Sequence, residues 1–522
     1  MKNNVETVMA KLLQTLSVPH TTKNLRRQLL THPDYPSLQG ITGVLDEYRI
    51  SNVAFRATIE QLRQVEYPVL LYMKERNGTF GLLHDIDQQQ AILSTETYER
   101  KSYPLHQFQE IWSGIAVLAE PNEQSGEPTA SEKSSTSINR IAYWAVAAGL
   151  LLLLAAAGWQ SQSIPFASLL VVKLIGISLV ALLAAHELGI DSSLTDKLCT
   201  LTKSTGCNEV LTSKASALFG VLKLADIGIV YFFSTTIALV LSAIVGMFAD
   251  MLLLLAWLSV LTLPFILFSV TYQLAVVKKW CPFCMGVAAT LTVETVLAAA
   301  TGSIRFSIPT LPSVGLAAFG VLSVSLLWIA IKPVLKEKMR LERFEFLYTR
   351  LKRKPEVIKG ILAESDYTEI PTLEGEIVLG NPNAPFTITE VVAPYCSPCA
   401  RSFDKLNELL KEAGNSVKVQ FRFLVKSNRE DKSTKVAAHM FALADKLSPE
   451  ELRCAFEAWF KERDYEKWIK AYAANVDEHI YLRLETQQEW AKGLGINATP
   501  TIYVNGYSWK LDMDLYDLKY SL

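Results

Sequence analysis

The sequence predicts a multidomain membrane protein: an α-helical bundle of six spans, preceded by a soluble α+β domain and followed by a soluble α/β domain. Three observations predict it. Half of the 522 residues are apolar, and mean hydropathy is positive, at +0.20. The apolarity is concentrated in residues 139–332. All seven cysteines follow residue 198, and six of them form spaced pairs, a usage that points to redox or metal chemistry rather than a disulfide scaffold. Lys plus Arg number 51 against 52 Asp plus Glu, so no basic excess for a nucleic acid exists.

Residues 1–121 alternate helical and strand-like patterns, with strands expected over residues 67–73 and 79–85 around an Asn77-Gly78 turn. Residues 1–16 are mixed and amphipathic, not the charged start and apolar core of a signal peptide. Residues 122–138, rich in Ser, Glu and Thr, read as a linker. The membrane domain follows at 139–332, with spans at 141–158, 164–185, 227–249, 251–277, 280–301 and 311–331. Each is near the ~20 residues that cross a ~30 Å hydrocarbon core. Lys173 and Glu294 are charges within spans and candidates for function on that ground. Glu294 lies seven residues from the far end of its span and is expected to reach the headgroups. Residues 333–375 read as a basic connecting helix and linker, and 376–522 as the α/β domain.

In that last domain a strand-like run ends in Ala393-Pro394-Tyr395, and Cys396-Ser397-Pro398-Cys399 opens a helical pattern. A cysteine at the positive end of a helix is stabilised as a thiolate, the form that attacks disulfides. A second thiol one turn on can close the ring and release the partner. Late in the domain comes Ala498-Thr499-Pro500-Thr501, where an X-Pro bond lining the pair is expected to be cis. Cys454, among Leu452, Phe456 and Trp459, reads as a buried spare thiol. This arrangement resembles the thioredoxin superfamily, most closely its DsbA-like branch with a helical insertion. The resemblance implies Cys396 as nucleophile, Cys399 as resolving thiol, and Thr499 with Pro500 as the substrate-docking loop.

Trp280-Cys281-Pro282-Phe283-Cys284 begins a span just after Lys278 and Lys279, residues that mark a membrane–water interface. Cys199 and Cys207 lie in the loop between the second and third spans, on the same face, because an even number of crossings separates them from Cys281. With Ser213, Phe219-Gly220 and Gly228 between the two pairs, residues 164–301 resemble the vitamin K epoxide reductase family. The resemblance implies a four-helix quinone-binding core. It makes Cys199 the entry thiol, Cys207 the partner that exchanges with Cys281, Cys284 the thiol that reduces a quinone (ubiquinone or menaquinone), and Ser213 a donor to a quinone carbonyl. A tyrosine of some animal members is replaced by Ala288 here. A zinc site built from these four cysteines is the competing reading, and it accounts for neither the quinone-type bundle nor the fused redox domain.

The stretch Tyr35-Pro36-Ser37-Leu38-Gln39-Gly40-Ile41, with Pro68-Val69-Leu70 and Phe80-Gly81-Leu82-Leu83, resembles the papain-like peptidase domain of bacteriocin exporters. Such a peptidase needs a Cys and a His. No cysteine precedes residue 199, and Thr79 stands where that family places its His, so a peptide-binding or docking role is expected instead, with His84 in a surface or packing role.

The expected function is a thiol–disulfide oxidoreductase carrying electrons from protein or peptide dithiols through the three pairs to a membrane quinone, in support of disulfide formation. An accessory role in peptide export or maturation is the alternative. The expected location is a bacterial inner membrane, multi-pass and in contact with lipid. Disulfide chemistry places the cysteine face in the periplasm. The lysines at 197, 203, 214, 278 and 279 argue for the opposite orientation.

Overall fold

The computed structural model describes residues 4–66, 68–74, 79–96, 98–127, 164–190, 217–218, 222–510 and 513–522. The expected first span (141–158), the Asn77-Gly78 turn, Phe219-Gly220, and Cys199, Cys207 and Ser213 lie outside the described residues. Two compact units form: residues 1–20 with 48–345, and residues 21–47 with 346–522.

The first unit opens with α1 (Asn4–Thr15), which buries Val8, Met9, Leu12 and Leu13 at helical spacing. It lies along a six-stranded antiparallel sheet of β1 (Ser51–Arg56), β2 (Val69–Met73), β3 (Thr79–Ile86), β4 (Gln90–Ser94), β5 (Lys101–Pro104) and β6 (Trp112–Glu120), in the order β1-β6-β2-β3-β4-β5. The expected hairpin forms, with Val69 opposite Leu83 and Met73 opposite Thr79. The Asn4 amide bridges α1 to this sheet, accepting from the Phe80 N–H (2.6 Å) and donating to the Phe80 carbonyl (2.9 Å). His84 has a packing role, 2.8 Å from the Ser94 hydroxyl.

Among the described residues, five helical segments are long and apolar enough to cross a membrane. They are α4 (Ile164–Glu187), α5 (Leu224–Val245), the continuous stretch Phe248–Val277, α8 (Pro282–Ala300) and α9 (Leu311–Lys352). The third is built from α6 (Phe248–Leu261), α7 (Leu263–Tyr272) and a π-helical turn, Gln273–Val277, which ends at Lys278 in a left-handed conformation (φ 54°). These five segments match the second to sixth expected spans. Without a hydrophobic drive between helices in lipid, close packing needs small residues at the contacts. Gly228 on α5 provides one: a Cβ there would stand 2.8 Å from Val180 of α4. Gly176 of α4 likewise makes room for the Phe232 ring. The last span differs from expectation, because α9 runs unbroken for 42 residues through Pro333, joining the membrane helix to the basic helix after it. At its membrane exit Lys332 pairs with Asp226 (2.6 Å), and the Trp328 indole donates to the same carboxylate (2.8 Å), tying α9 to α5.

The second unit holds α2 (Thr22–Thr31), α3 (Leu38–Glu47), α10 (Pro355–Ala363) and an α/β domain. Its five-stranded sheet runs β11-β10-β8-β9-β7, from β7 (Ile377–Gly380), β8 (Phe386–Val392), β9 (Val417–Phe423), β10 (Thr501–Val504) and β11 (Tyr507–Ser508). The central β8–β9 pair is parallel, and the connection between them is α11 (Ser397–Ala413). Four helices are inserted between β9 and β10: α12 (Lys432–Ala444), α13 (Pro449–Glu462), α14 (Tyr465–Ala471) and α15 (Glu478–Gly493). The inserted helices close over the sheet through Phe456 and Phe460, which meet Phe403 of α11. Cys454 is exposed, contrary to the buried reading. It lies two residues from Leu452 and from Phe456, and a two-residue step turns an α-helix by about 200°, to the side away from the core.

Within the same unit, α2 and α3 are fastened to the C-terminal turn. Lys519 reaches Glu47 (2.9 Å), and Arg353 bridges Asp517 and the Thr31 hydroxyl at 2.8 Å each. These charges are largely buried, so each is held by direct pairing rather than by water.

Candidate redox sites

The two described cysteine pairs sit on the same local device. Cys396 is the N-cap of α11 and Cys281 the N-cap of α8, each with a proline at one of the first two helical positions. Proline suits those positions because it has no N–H to leave unbonded. The sulfur takes the place of an N-cap oxygen: Cys399 N–H points to Cys396 Sγ (3.2 Å) and Cys284 N–H to Cys281 Sγ (3.4 Å). In both pairs the first sulfur therefore receives a backbone hydrogen bond and the positive end of the helix dipole; in the soluble pair both effects favour the Cys396 thiolate once the disulfide is reduced.

Cys396 and Cys399 form a disulfide with Cα atoms 5.2 Å apart. Cys396 is half-buried and Cys399 fully buried, so solvent and partners reach only the first sulfur. The Thr499–Pro500 bond is cis, as expected from the sequence. The Thr499 carbonyl oxygen lies 3.5 Å from Cys396 Sγ. The helical insertion also reaches this site: the Trp459 indole donates to the Pro394 carbonyl (3.0 Å), and Arg463 donates to the Ser397 hydroxyl (3.0 Å). Beside the pair opens a groove of about 530 Å³, lined by Ser397, Arg401, Asp404, Glu457, Lys461 and Arg463 among others.

Sequence reasoning missed Glu390. It lies on β8, six residues before Cys396, fully buried, and neither carboxyl oxygen has a hydrogen-bond partner. Burial pushes its carboxyl up to about 8, against the opposing effect of the nearby Ser402 hydroxyl. The available signal was a lone acid in the otherwise uncharged run Phe386–Val392.

Cys281 and Cys284 are free thiols. Cys281 is fully buried and Cys284 half-buried, among Val180, Ile229, Phe232, Phe283 and Leu291. Gln273, also missed, caps the site from the π-helical turn: its side-chain oxygen accepts the Cys281 N–H (2.8 Å). Ala288, four residues beyond Cys284, is buried in the same helix.

Glu294 does not reach the headgroups. It is 2 % exposed and bonded to Lys173 across the bundle, at 2.8 Å. The two are 121 residues apart, so no local pattern announces the pair.

Three family models match consecutive parts of the chain: the Peptidase C39 family over residues 7–124, the Vitamin K epoxide reductase family over 167–299, and Thioredoxin over 372–520. No curated protein matches the chain. Among solved structures, the chain is similar to oxidised BdbD from Bacillus subtilis, at 20% identity, covering 30% of this chain and 93% of that one, with a TM-score of 0.24. It is similar to alpha-DsbA1 from Wolbachia pipientis at 18% identity, covering 26% and 77%, with a TM-score of 0.22. The peptidase domain of Streptococcus ComA is similar at 15% identity, covering 23% and 94%, with a TM-score of 0.22. The three segments thus follow the order peptidase-like, vitamin K epoxide reductase-like, thioredoxin-like. The last two support thiol–disulfide oxidoreductase chemistry, and the five apolar helices are consistent with a multi-pass membrane protein.

Proposed function

We propose that the protein oxidises protein or peptide dithiols and passes their electrons to a membrane quinone. The observation that carries this reading is the repeated device: two Cys-x-x-Cys helix starts, one in a soluble domain and one at the edge of the apolar bundle. A client dithiolate attacks the Cys396 sulfur, the Cys396–Cys399 bond breaks, and the client leaves as a disulfide. The reduced pair then attacks the Cys199–Cys207 disulfide, with Cys199 as entry thiol, and the released Cys207 thiolate attacks Cys281 of the oxidised Cys281–Cys284 pair, whose sulfur–sulfur bond breaks as Cys199–Cys207 re-forms. The Cys281–Cys284 dithiol finally loses two electrons and two protons as its disulfide forms, and the quinone becomes a quinol. Ser213 is assigned a hydrogen bond to a quinone carbonyl, and Thr499 with Pro500 the docking of the client.

The apolar side chains around Cys284 suit a quinone ring, which is flat and largely apolar. The peptidase-like segment, which has no cysteine before residue 199, is assigned to holding a peptide rather than cutting it. We place the cysteine face in the periplasm of a bacterial inner membrane, where the oxidised pairs persist. The test is oxidation of a reduced dithiol peptide by the purified full-length protein under anaerobic conditions. Oxidation should occur only when a short-tailed ubiquinone or menaquinone is supplied, with one quinol formed per disulfide. Peptide oxidation that proceeds without quinone, or none with it, removes the reading.

A further inference from the structure

Three polar side chains meet inside the apolar bundle. Lys173 on α4 and Glu294 on α8 are 1% and 2% exposed. Lys173 Nζ stands 2.8 Å from Glu294 Oε2, and the Tyr231 hydroxyl of α5 donates to the same oxygen at 2.8 Å. The ammonium also lies 4.7 Å from the centre of the Tyr231 ring. The other carboxylate oxygen, Oε1, is buried without a partner. A bare buried carboxylate oxygen is costly, and a purely structural pair would be expected to satisfy it. Beside it lies a small cavity of about 10 Å³, lined by Lys173, Glu294, Ser259, Thr301 and Ser303 together with apolar residues. That is room for about one water molecule, with polar partners to hold it.

The position of this cavity decides what it can do. Thr301 and Ser303 follow the C-terminal end of α8, whereas Cys281 caps its N-terminal start, so the cavity adjoins the membrane face opposite the cysteines. Glu294 is ten residues beyond Cys284, about 15 Å along a helix. Tyr231 and Cys284 both pack against the apolar cluster that contains Cys281. Polar groups therefore lead inward from the far face: Thr301 and Ser303, the cavity, Glu294, then Tyr231.

We propose that Glu294 and Tyr231 take up protons from the face opposite the cysteines and pass them towards the quinone reduced at Cys284. The proposal rests on the quinone-reducing reading above. In each turnover the two thiols release two electrons and two protons as their sulfur–sulfur bond forms, and the quinone gains two of each. The thiol protons leave on the cysteine face, and the quinol protons come through Glu294, so the reaction carries net charge across the membrane. Lys173 holds Glu294 through Oε2, and both residues line the cavity.

The full-length protein in proteoliposomes, with a pH-sensitive dye trapped inside, tests this. Molecules with cysteines outward are selected by capturing them through an exposed affinity tag on the cysteine face. A reduced dithiol peptide is added outside, and decylubiquinone is placed in the bilayer. The interior should become alkaline in step with peptide oxidation. Glu294→Gln should slow oxidation by about tenfold or more and abolish the internal pH change, and Tyr231→Phe should reduce both. Since Glu294→Gln strips Lys173 of its charge partner, the double variant Lys173→Met/Glu294→Leu gives an apolar replacement of similar volume; it should show the same loss of alkalinisation. Quinone-dependent oxidation with no internal pH change in the unaltered protein, or alkalinisation that survives in the double variant, overturns the inference and leaves the quinone reading standing. No quinone-dependent oxidation at all overturns both.

Discussion

Glu390, buried on β8, sets a pH dependence of stability through one side chain. Its folded-state carboxyl titrates near 8 and its ordinary value is 4.5, because burial without a hydrogen-bond partner penalises the charge. From pH 4.5 to about 8 the native state therefore keeps a proton that the unfolded chain has lost. The unfolded state binds fewer protons in that window, so stability falls as pH rises through it and levels off above. The loss is on the order of a few kcal/mol. Glu390→Gln should flatten this decline, giving a protein about as stable at pH 8.5 as at pH 5 with respect to this group. Chemical unfolding at a series of pH values, read from the signal of Trp459 and its neighbours, checks it. An unchanged pH slope in the variant contradicts the assignment.

At the scale of the element, the two Cys-x-x-Cys helix starts divide the labour. The start of α8 is covered by apolar side chains and by Gln273, whereas that of α11 offers a half-buried sulfur beside an open groove. Cys281→Ala and Cys284→Ala are each expected to abolish quinone reduction while Cys396 and Cys399 still exchange with a reduced peptide. Both activities can be followed on the same purified variant, one by quinone absorbance and one by alkylation of the peptide thiols. Normal quinone turnover in Cys284→Ala contradicts the assignment of that thiol. Much of this was legible in the sequence. A Cys-x-x-Cys after a strand and before amphipathic leucines dictates a helix start, and uncharged runs of about 20 residues dictate spans. The π-helical turn at Gln273–Val277 was not legible, since its apolar residues fit a continuing α-helix equally well. Nor was the exposure of Cys454, where apolar neighbours in sequence concealed a helical phase that faces outward.

For the whole molecule, local patterns gave the order of the domains, but not what distant parts do to one another. The Lys173–Glu294 pair is closed by packing of two helices, and the Arg353–Asp517–Thr31 contact by residues more than 300 positions apart in the chain. Sidedness is likewise a property of the whole, and here lysine placement and disulfide chemistry point in opposite directions. With the cysteine face in the periplasm, a membrane-impermeant maleimide added to intact cells should label the exposed Cys454, and labelling only after cell lysis contradicts that orientation.

In the proposed relay, electrons pass from the soluble pair to the membrane pair through the loop pair of the same chain. Cys399→Ser removes the thiol that resolves a mixed disulfide, while Cys396, the more accessible sulfur, stays free to attack. Mass spectrometry of peptides from the non-reduced variant is the most direct measurement. A cross-linked pair joining Cys396 to Cys199 is expected. A dominant Cys396–Cys281 linkage, or no linkage within the chain at all, contradicts it.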